Sequence, residues 1–243
     1  MEIMMDEDLV WIGDNTMASR IVFLPSTGSN DELFQEKLVT FDWVPGMAIS
    51  QAKKSIRNLH AEAVKQIGLT KILEVSTRSE EALGISLSAF NLPFEDKSYS
   101  VESAYQSSKV FEKGGPYLDL LDANSTDAKT DDRLKNSGML LGFQFEGMEF
   151  SVTKAPNFYD YLYIRGLLAF PNRSLLKNYD GFTDIAFSQT SLEYKSKKSY
   201  NCQARSVAIC LTISSKYQEI DILNNLKQLI TRKTSDVIQL DLF

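Results

Sequence analysis

Five apolar residues, Ala52, Ile56, Leu59, Ala63 and Ile67, recur at helical spacing after Ser50, and Gly68 follows directly. That period lines one face of an α-helix, and a glycine just past the last periodic residue is a common helix stop. Ser50 is the expected N-cap. Lys53, Lys54, Arg57 and Asn58 fall on the polar side, so the helix has one face to bury and needs a partner surface. Its neighbours read as short strands: Arg20 to Leu24, Val39 to Val44 closed by Pro45-Gly46, and Lys71 to Thr77. A one-sided helix among short strands points to an α+β fold.

The remaining pattern fits that class. Ser79 to Leu83 reads as a short turn of helix, and residues 122 to 138 as loop with short helix. Phe143 to Val152 alternates around Gly147 like a hairpin. An aromatic-rich helix is expected from Phe158 to Phe170, stopped by Pro171, then a short one from Ser174 to Tyr179. Ser206 to Ile213 is a continuous apolar run that pattern alone assigns to neither strand nor helix. Asp221 to Lys233 is the last expected helix. With 243 residues and no repeats or linker, residues 19–243 read as one domain behind a flexible lead-in over 1–18.

The segment from Ser100 to Phe111 carries the chemistry. If residues 100–112 are helical and Ser100 caps them, Glu102, Gln106 and Lys109 stand at i, i+4 and i+7 on one face. Val101, Ala104, Tyr105, Ser108 and Phe111 form a stripe that can be buried beside them. Gly114-Gly115-Pro116 is the expected stop. Glu102 lies in the first turn, where the helix dipole favours its ionised form and burial opposes it. An acid and an amine side by side suit chemistry on a glycosidic or carbonyl carbon. The bland reading is a solvated i, i+7 pair.

Several classes drop out. With a single histidine, His60, flanked by apolar helix positions, there is no multi-histidine metal site, and a histidine-assisted triad has one residue to run through. Cys202 and Cys210 have no metal-type spacing. The formal charge of −6 argues against tight non-specific DNA binding, although Lys53, Lys54 and Arg57, and Lys195, Lys197 and Lys198, form local basic clusters. There is no Gly-x-Gly-x-x-Gly, no Walker loop and no Gly-x-Ser-x-Gly elbow. No apolar run approaches the ~20 residues needed to span a bilayer. The acidic, Met-rich start is unlike a signal peptide, and a cytoplasmic protein without membrane contact is expected.

Two segments, Ser88-Ala-Phe90 and Glu102-Ser-Ala-Tyr-Gln-Ser-Ser-Lys109, resemble the Ser-Asn-Phe and Glu-(His/Ala)-(Tyr/Phe)-x-x-x-Lys pattern of the NADAR (YbiA-like) family. Ala89 departs from it, standing where that family usually has Asn, which leaves open whether Asn91 takes over the contact. The resemblance is closer to the NADAR antitoxins paired with DarT toxins. It rests on Phe41-Asp-Trp-Val-Pro-Gly-Met-Ala48, Leu87-Ser-Ala-Phe-Asn-Leu92, Lys109-Val-Phe-Glu-Lys-Gly-Gly-Pro-Tyr117, Phe158-Tyr-Asp-Tyr-Leu-Tyr-Ile164, Phe182-Thr-Asp-Ile185 and Asn201-Cys-Gln-Ala-Arg-Ser206. These blocks lie in order over about residues 39–210.

The resemblance implies a helix-rich domain with small antiparallel sheets or hairpins. It also implies an N-glycosidic hydrolase that removes ADP-ribose from the guanine amino group in DNA. Both a cellular antitoxin against a DarT-type toxin and a phage-encoded counter-defence copy fit. A non-catalytic antitoxin that binds toxin or modified DNA, and an N-glycosidase of a small ADP-ribose-like metabolite, are the competing readings. Glu102 is the expected acid/base. Lys109 is either an electrostatic stabiliser or a Schiff-base nucleophile. Ser88, Phe90, Asn91, Tyr105, Gln106, Tyr159, Asp160, Asp184, Asn201 and Gln203 are the expected substrate contacts. Phe90, Tyr105 and Tyr159 suit base stacking or core packing equally, and Asn201 and Gln203 can instead satisfy loop backbone. No cofactor or metal is called for, and the oligomeric state is open.

Overall fold

The computed structural model describes residues 9–12, 15–27, 32–187 and 201–217. The chain divides into two compact units, each with its own sheet and helices, and the fold class is α+β as expected. Of the described residues, those before Ser88 and those from Ser174 to Thr212 make the first unit. Ser88 to Arg173, with Ile213 to Tyr217, make the second.

In the first unit, β1 (Leu9–Ile12) and β2 (Asn15–Pro25) pair antiparallel, and β2 pairs antiparallel with β3 (Phe34–Asp42). Residues 9–12 and 15–18 of the expected lead-in are therefore strand. The strand expected over 20–24 is the middle of a longer one that opposes β3 residue for residue. The end of β3 alternates, with Val39 and Phe41 inward and Thr40 and Asp42 outward. Onto it packs α1 (Ile49–Ile67), whose expected stripe faces inward: Ile56, Leu59 and Ala63 are buried with Val22, Val39, Phe41 and Ile185. The helix starts at Ala48, not Ser50, because the Gln51 side chain reaches back to accept the Ala48 N–H at 3.0 Å. Gly68 ends it in the left-handed region, φ 72°, with its N–H on the Val64 carbonyl.

The short strands β4 (Ile72–Glu74) and β8 (Gly181–Thr183) pair parallel, while the other strand pairs among the described residues are antiparallel, and Phe182 of β8 opposes Phe23 of β2. The Asp180 carboxylate fixes their register by accepting from the Thr70 and Lys71 N–H groups. Between them in sequence, α2 (Ala82–Ser86) passes close to β4 at Gly84, where a Cβ would meet the Glu74 carbonyl at 2.1 Å.

The second unit corrects one expectation. The helix predicted to run to residue 112 is α3 (Val101–Ser107), and β5 (Lys109–Phe111) follows at once. Ser107 and Ser108 turn their hydroxyls back onto the carbonyls of Ala104 and Tyr105, and the Ser108 carbonyl accepts the Gln144 N–H. Serine competes in this way with helix continuation, and the chain turns into a sheet instead. Ser100 is the N-cap, accepting the Ser103 N–H at 3.0 Å. The polar stretch holds α4 (Ser125–Thr130) and α5 (Arg133–Asn136). The expected hairpin is β6 (Leu140–Phe145) and β7 (Met148–Ser151), with β5 on the other side of β6. Glu146 and Gly147, φ 49° and 74°, form the two-residue turn, as a type I′ connection requires.

Behind this sheet runs α6 (Ala155–Ala169), buried on most of its circumference. Phe143 stacks on Phe158 at 4.9 Å between ring centres, and Tyr105 meets Tyr159 edge-on at 5.4 Å. Gly166 lets α6 approach α3: a Cβ there would stand 2.8 Å from Val101. The apolar run left open above is α7 (Gln203–Lys216). The helix expected over 221–233 and the lysines at 195, 197 and 198 lie outside the described residues. Among the described residues no helix is long and apolar enough to cross a membrane.

Candidate active site

Every residue of α3 is buried, so a carboxylate on it must be met by the protein. Glu102 is 5% exposed. Its Oε1 accepts from Gln106 Nε2 at 2.8 Å, and Gln106 Oε1 accepts from Lys109 Nζ at 2.6 Å. The amide is thus polarised end to end, its NH₂ toward the acid and its carbonyl toward the amine. Although Lys109 belongs to β5, the ladder expected on a helix face exists, closed across the junction of α3 and β5. Helical i, i+4 spacing brings Glu102 to Gln106, and the early helix end brings Lys109 round to it.

Lys109 also lies over the Tyr105 ring, 5.1 Å from its centre. Burial lowers its pKa from 10.5 to about 8; Glu102 opposes that shift and Lys129 adds to it. About a tenth of the amine is therefore unprotonated at pH 7, far more than for an ordinary lysine. Lys129, on α4, stands 3.6 Å from Glu102 Oε1 and 4.8 Å from the centre of the Phe90 ring. Sequence reading missed Lys129: it lies 27 positions from Glu102, beyond any helical spacing.

Around the ladder, Ser88, Phe90 and Asn91 lie on the turn before α3, where Ser88 O accepts the N–H groups of Asn91 and Leu92. Ala89 is buried, and its carbonyl accepts the Glu102 N–H at 2.9 Å. Asn91 is exposed, so the two occupy different environments. Of the three aromatic candidates, Tyr105 and Tyr159 are 5% and 2% exposed and packed ring on ring, while Phe90 is half-buried. Asp160 is buried on α6.

Asp184, Asn201 and Gln203 belong to the first unit, where Asp184 and Gln203 join a second polar cluster. Gln203 Nε2 donates to Asp184 at 3.2 Å. Nearby Glu74 accepts from Ser76 Oγ, Thr183 Oγ1 and the Ile185 N–H, and His60 Nε2 pairs with Thr183 Oγ1 at 2.8 Å. Burial raises the Glu74 pKa to about 7, with the Asp184 charge adding to it, and burial also raises Asp184. His60 is pushed down to about 4 by burial and is neutral. Among the described residues no group of three or more His, Cys, Asp or Glu is placed to hold a metal ion.

A sequence profile of the DarT1-associated NADAR antitoxins matches residues 18–238. This chain belongs to that family. The NADAR match covers both compact units and extends well beyond the 39–210 over which the motif blocks were recognised. NADAR proteins are generally glycosidase-like hydrolases, and the family name ties this chain to a DarT toxin. No curated protein matches the chain. Among the described residues of this NADAR chain, the Glu102–Gln106–Lys109 ladder joins a buried acid to an amine of depressed pKa.

Proposed function

We propose that this NADAR protein is an N-glycosidic hydrolase that removes ADP-ribose from the guanine amino group of DNA and so reverses a DarT-type modification. The two units, both inside the family match, are read as one working domain. The observation that carries the proposal is Lys109, an amine whose pKa burial lowers to about 8 and which is linked through one amide to a buried carboxylate.

That state of Lys109 favours the nucleophilic role over the purely electrostatic one. As the ribose ring opens, its oxygen takes a proton from solvent and the bond between the anomeric carbon and the guanine nitrogen becomes an iminium. The neutral Lys109 amine adds to that carbon and hands one of its protons to the Glu102 carboxylate. The guanine nitrogen takes that proton from Glu102 and leaves as a neutral amine, and the sugar stays on Lys109 as a Schiff base. Glu102, ionised again, draws a proton from water, whose hydroxide adds to the same carbon. The carbinolamine collapses as its hydroxyl proton moves to the Lys109 nitrogen, ADP-ribose leaves with the neutral amine restored, and Glu102 returns its proton to solvent. Gln106 touches both groups and moves no proton; it holds the acid and the amine in register. Phe90, half-exposed beside Lys129, is the ring best placed to stack on a base.

The test is release of ADP-ribose from an ADP-ribosylated guanine oligonucleotide, followed by chromatography. Wild-type protein releases it, and Glu102→Gln and Lys109→Ala do not. Full release by both variants removes the mechanism. Silence of the wild type, with rescue of toxin-bearing cells by the variants, selects a binding antitoxin instead. Release from a modified mononucleoside but not from DNA selects the metabolite reading.

A further inference from the structure

We infer that Lys129 and Phe90 form a diphosphate-reading subsite, in which Lys129 leaves Glu102 to grip the pyrophosphate of the ADP-ribose group while Phe90 supports an adjoining ring. This deepens the proposed function and rests on it.

The two lysines near Glu102 are differently placed. Lys109 is packed against Tyr105 and fastened by a 2.6 Å hydrogen bond. The Lys129 side chain is 53% exposed against 6% for Glu102, and its 3.6 Å approach to the carboxylate exceeds hydrogen-bond length. Only the lysine end of this pair is in solvent and no hydrogen bond closes it, so a pyrophosphate with two charges can compete for the ammonium. The second neighbour of Lys129 is the Phe90 ring, so the ammonium and an aromatic face stand together, suited to a phosphate and the ring beside it.

The frame under Lys129 is cross-linked by hydrogen bonds, while its side chain is half in solvent. Ser125, at the start of α4, donates its hydroxyl to the Phe90 carbonyl at 2.7 Å and shares a 2.7 Å hydrogen bond with the hydroxyl of Ser100, the α3 cap. Ser103 donates to the Ala123 carbonyl at 3.2 Å. Three serines thus bind the Phe90 turn, the first turn of α3 and the first turn of α4 to one another. The loosely held ammonium is presented from a fixed base, next to the group that performs the acid/base step.

The test compares wild type, Lys129→Gln and Lys129→Arg on two substrates: ADP-ribosylated guanine in an oligonucleotide, and the guanine nucleoside carrying ribose without phosphates. Lys129→Gln is expected to raise KM on the first about tenfold while kcat changes less than threefold; Lys129→Arg restores KM, and on the phosphate-free substrate all three behave alike. Calorimetry with free ADP-ribose gives a readout independent of turnover: Lys129→Gln weakens binding about tenfold at low salt, and the difference shrinks as salt rises. Equal ADP-ribose affinity in wild type and Lys129→Gln, or equal losses on both substrates, overturns the inference. A wild type that binds ADP-ribose through Lys129 but releases nothing from DNA refutes the hydrolase reading and leaves the subsite standing.

Discussion

Glu102 and Glu74 are both carboxylates sunk below the surface, at 5% and 2% exposure, yet they keep different company. Glu102 faces one amide and two lysines, one of them half in solvent. Glu74 faces neutral donors, Ser76, Thr183 and the Ile185 N–H, with a second buried carboxyl, Asp184, raising its pKa. The first arrangement keeps a half-exposed ammonium beside an amine of lowered pKa. The second ties β4 to β8 through side-chain and backbone hydrogen bonds, and burial beside Asp184 makes Glu74 hold its proton to higher pH than an ordinary carboxylate. Burial alone therefore does not distinguish the two carboxylates; the charges that accompany each of them do.

The largest effect that can break this contrast is catalytic. Lys109→Ala is expected to lower ADP-ribose release by about 10²–10⁴-fold or more, with unfolding by denaturant little changed. Collapse of folding together with activity would make the ladder a structural feature like the other cluster. Next comes Glu74→Ala, which strips partners from the Thr183 hydroxyl and the Ile185 N–H. About 2–4 kcal/mol of stability should be lost, read from urea unfolding; a loss under 0.5 kcal/mol would deny Glu74 its anchoring role. Gln106→Leu removes the bridge while leaving both reactive groups, and a drop of roughly 10–100-fold in kcat/KM is expected, with Gln106→Glu failing to restore it.

The smallest effect is in pH. Glu74 is raised in the folded protein from 4.5 to about 7, so between those values the folded state binds more protons than the unfolded one. The associated stability is present in full below pH 4.5 and is lost as pH rises through about 7. Glu74→Gln should flatten that decline in a series of unfolding curves. An unaltered slope would place the titration elsewhere. Lys109 acts in the opposite direction: kcat/KM should rise with pH through about 8, as the amine loses its proton.

Much of this was readable from the chain because it is local. The α1 stripe, the Gly68 stop, the Glu146-Gly147 turn and the Ser100 cap each depend on residues within a few positions of one another. The Glu102–Gln106–Lys109 ladder spans eight residues, and its identity survived a wrong account of its backbone. The error lay in the run of serines after Gln106, whose hydroxyls end the helix by hydrogen bonds that periodicity does not register. What stayed hidden was assembled from afar. Lys129 meets Glu102 through α4, and Glu74 meets Thr183 across a parallel strand pair more than a hundred residues long in sequence separation. Pairing of that kind leaves no mark on spacing.

The most direct test of the account is borohydride trapping. The protein is incubated with ADP-ribosylated guanine oligonucleotide and sodium borohydride, then digested and weighed by mass spectrometry. The account predicts one ADP-ribosyl adduct, reduced to a secondary amine, on Lys109. Release of ADP-ribose under the same conditions with Lys109 unmodified would contradict it.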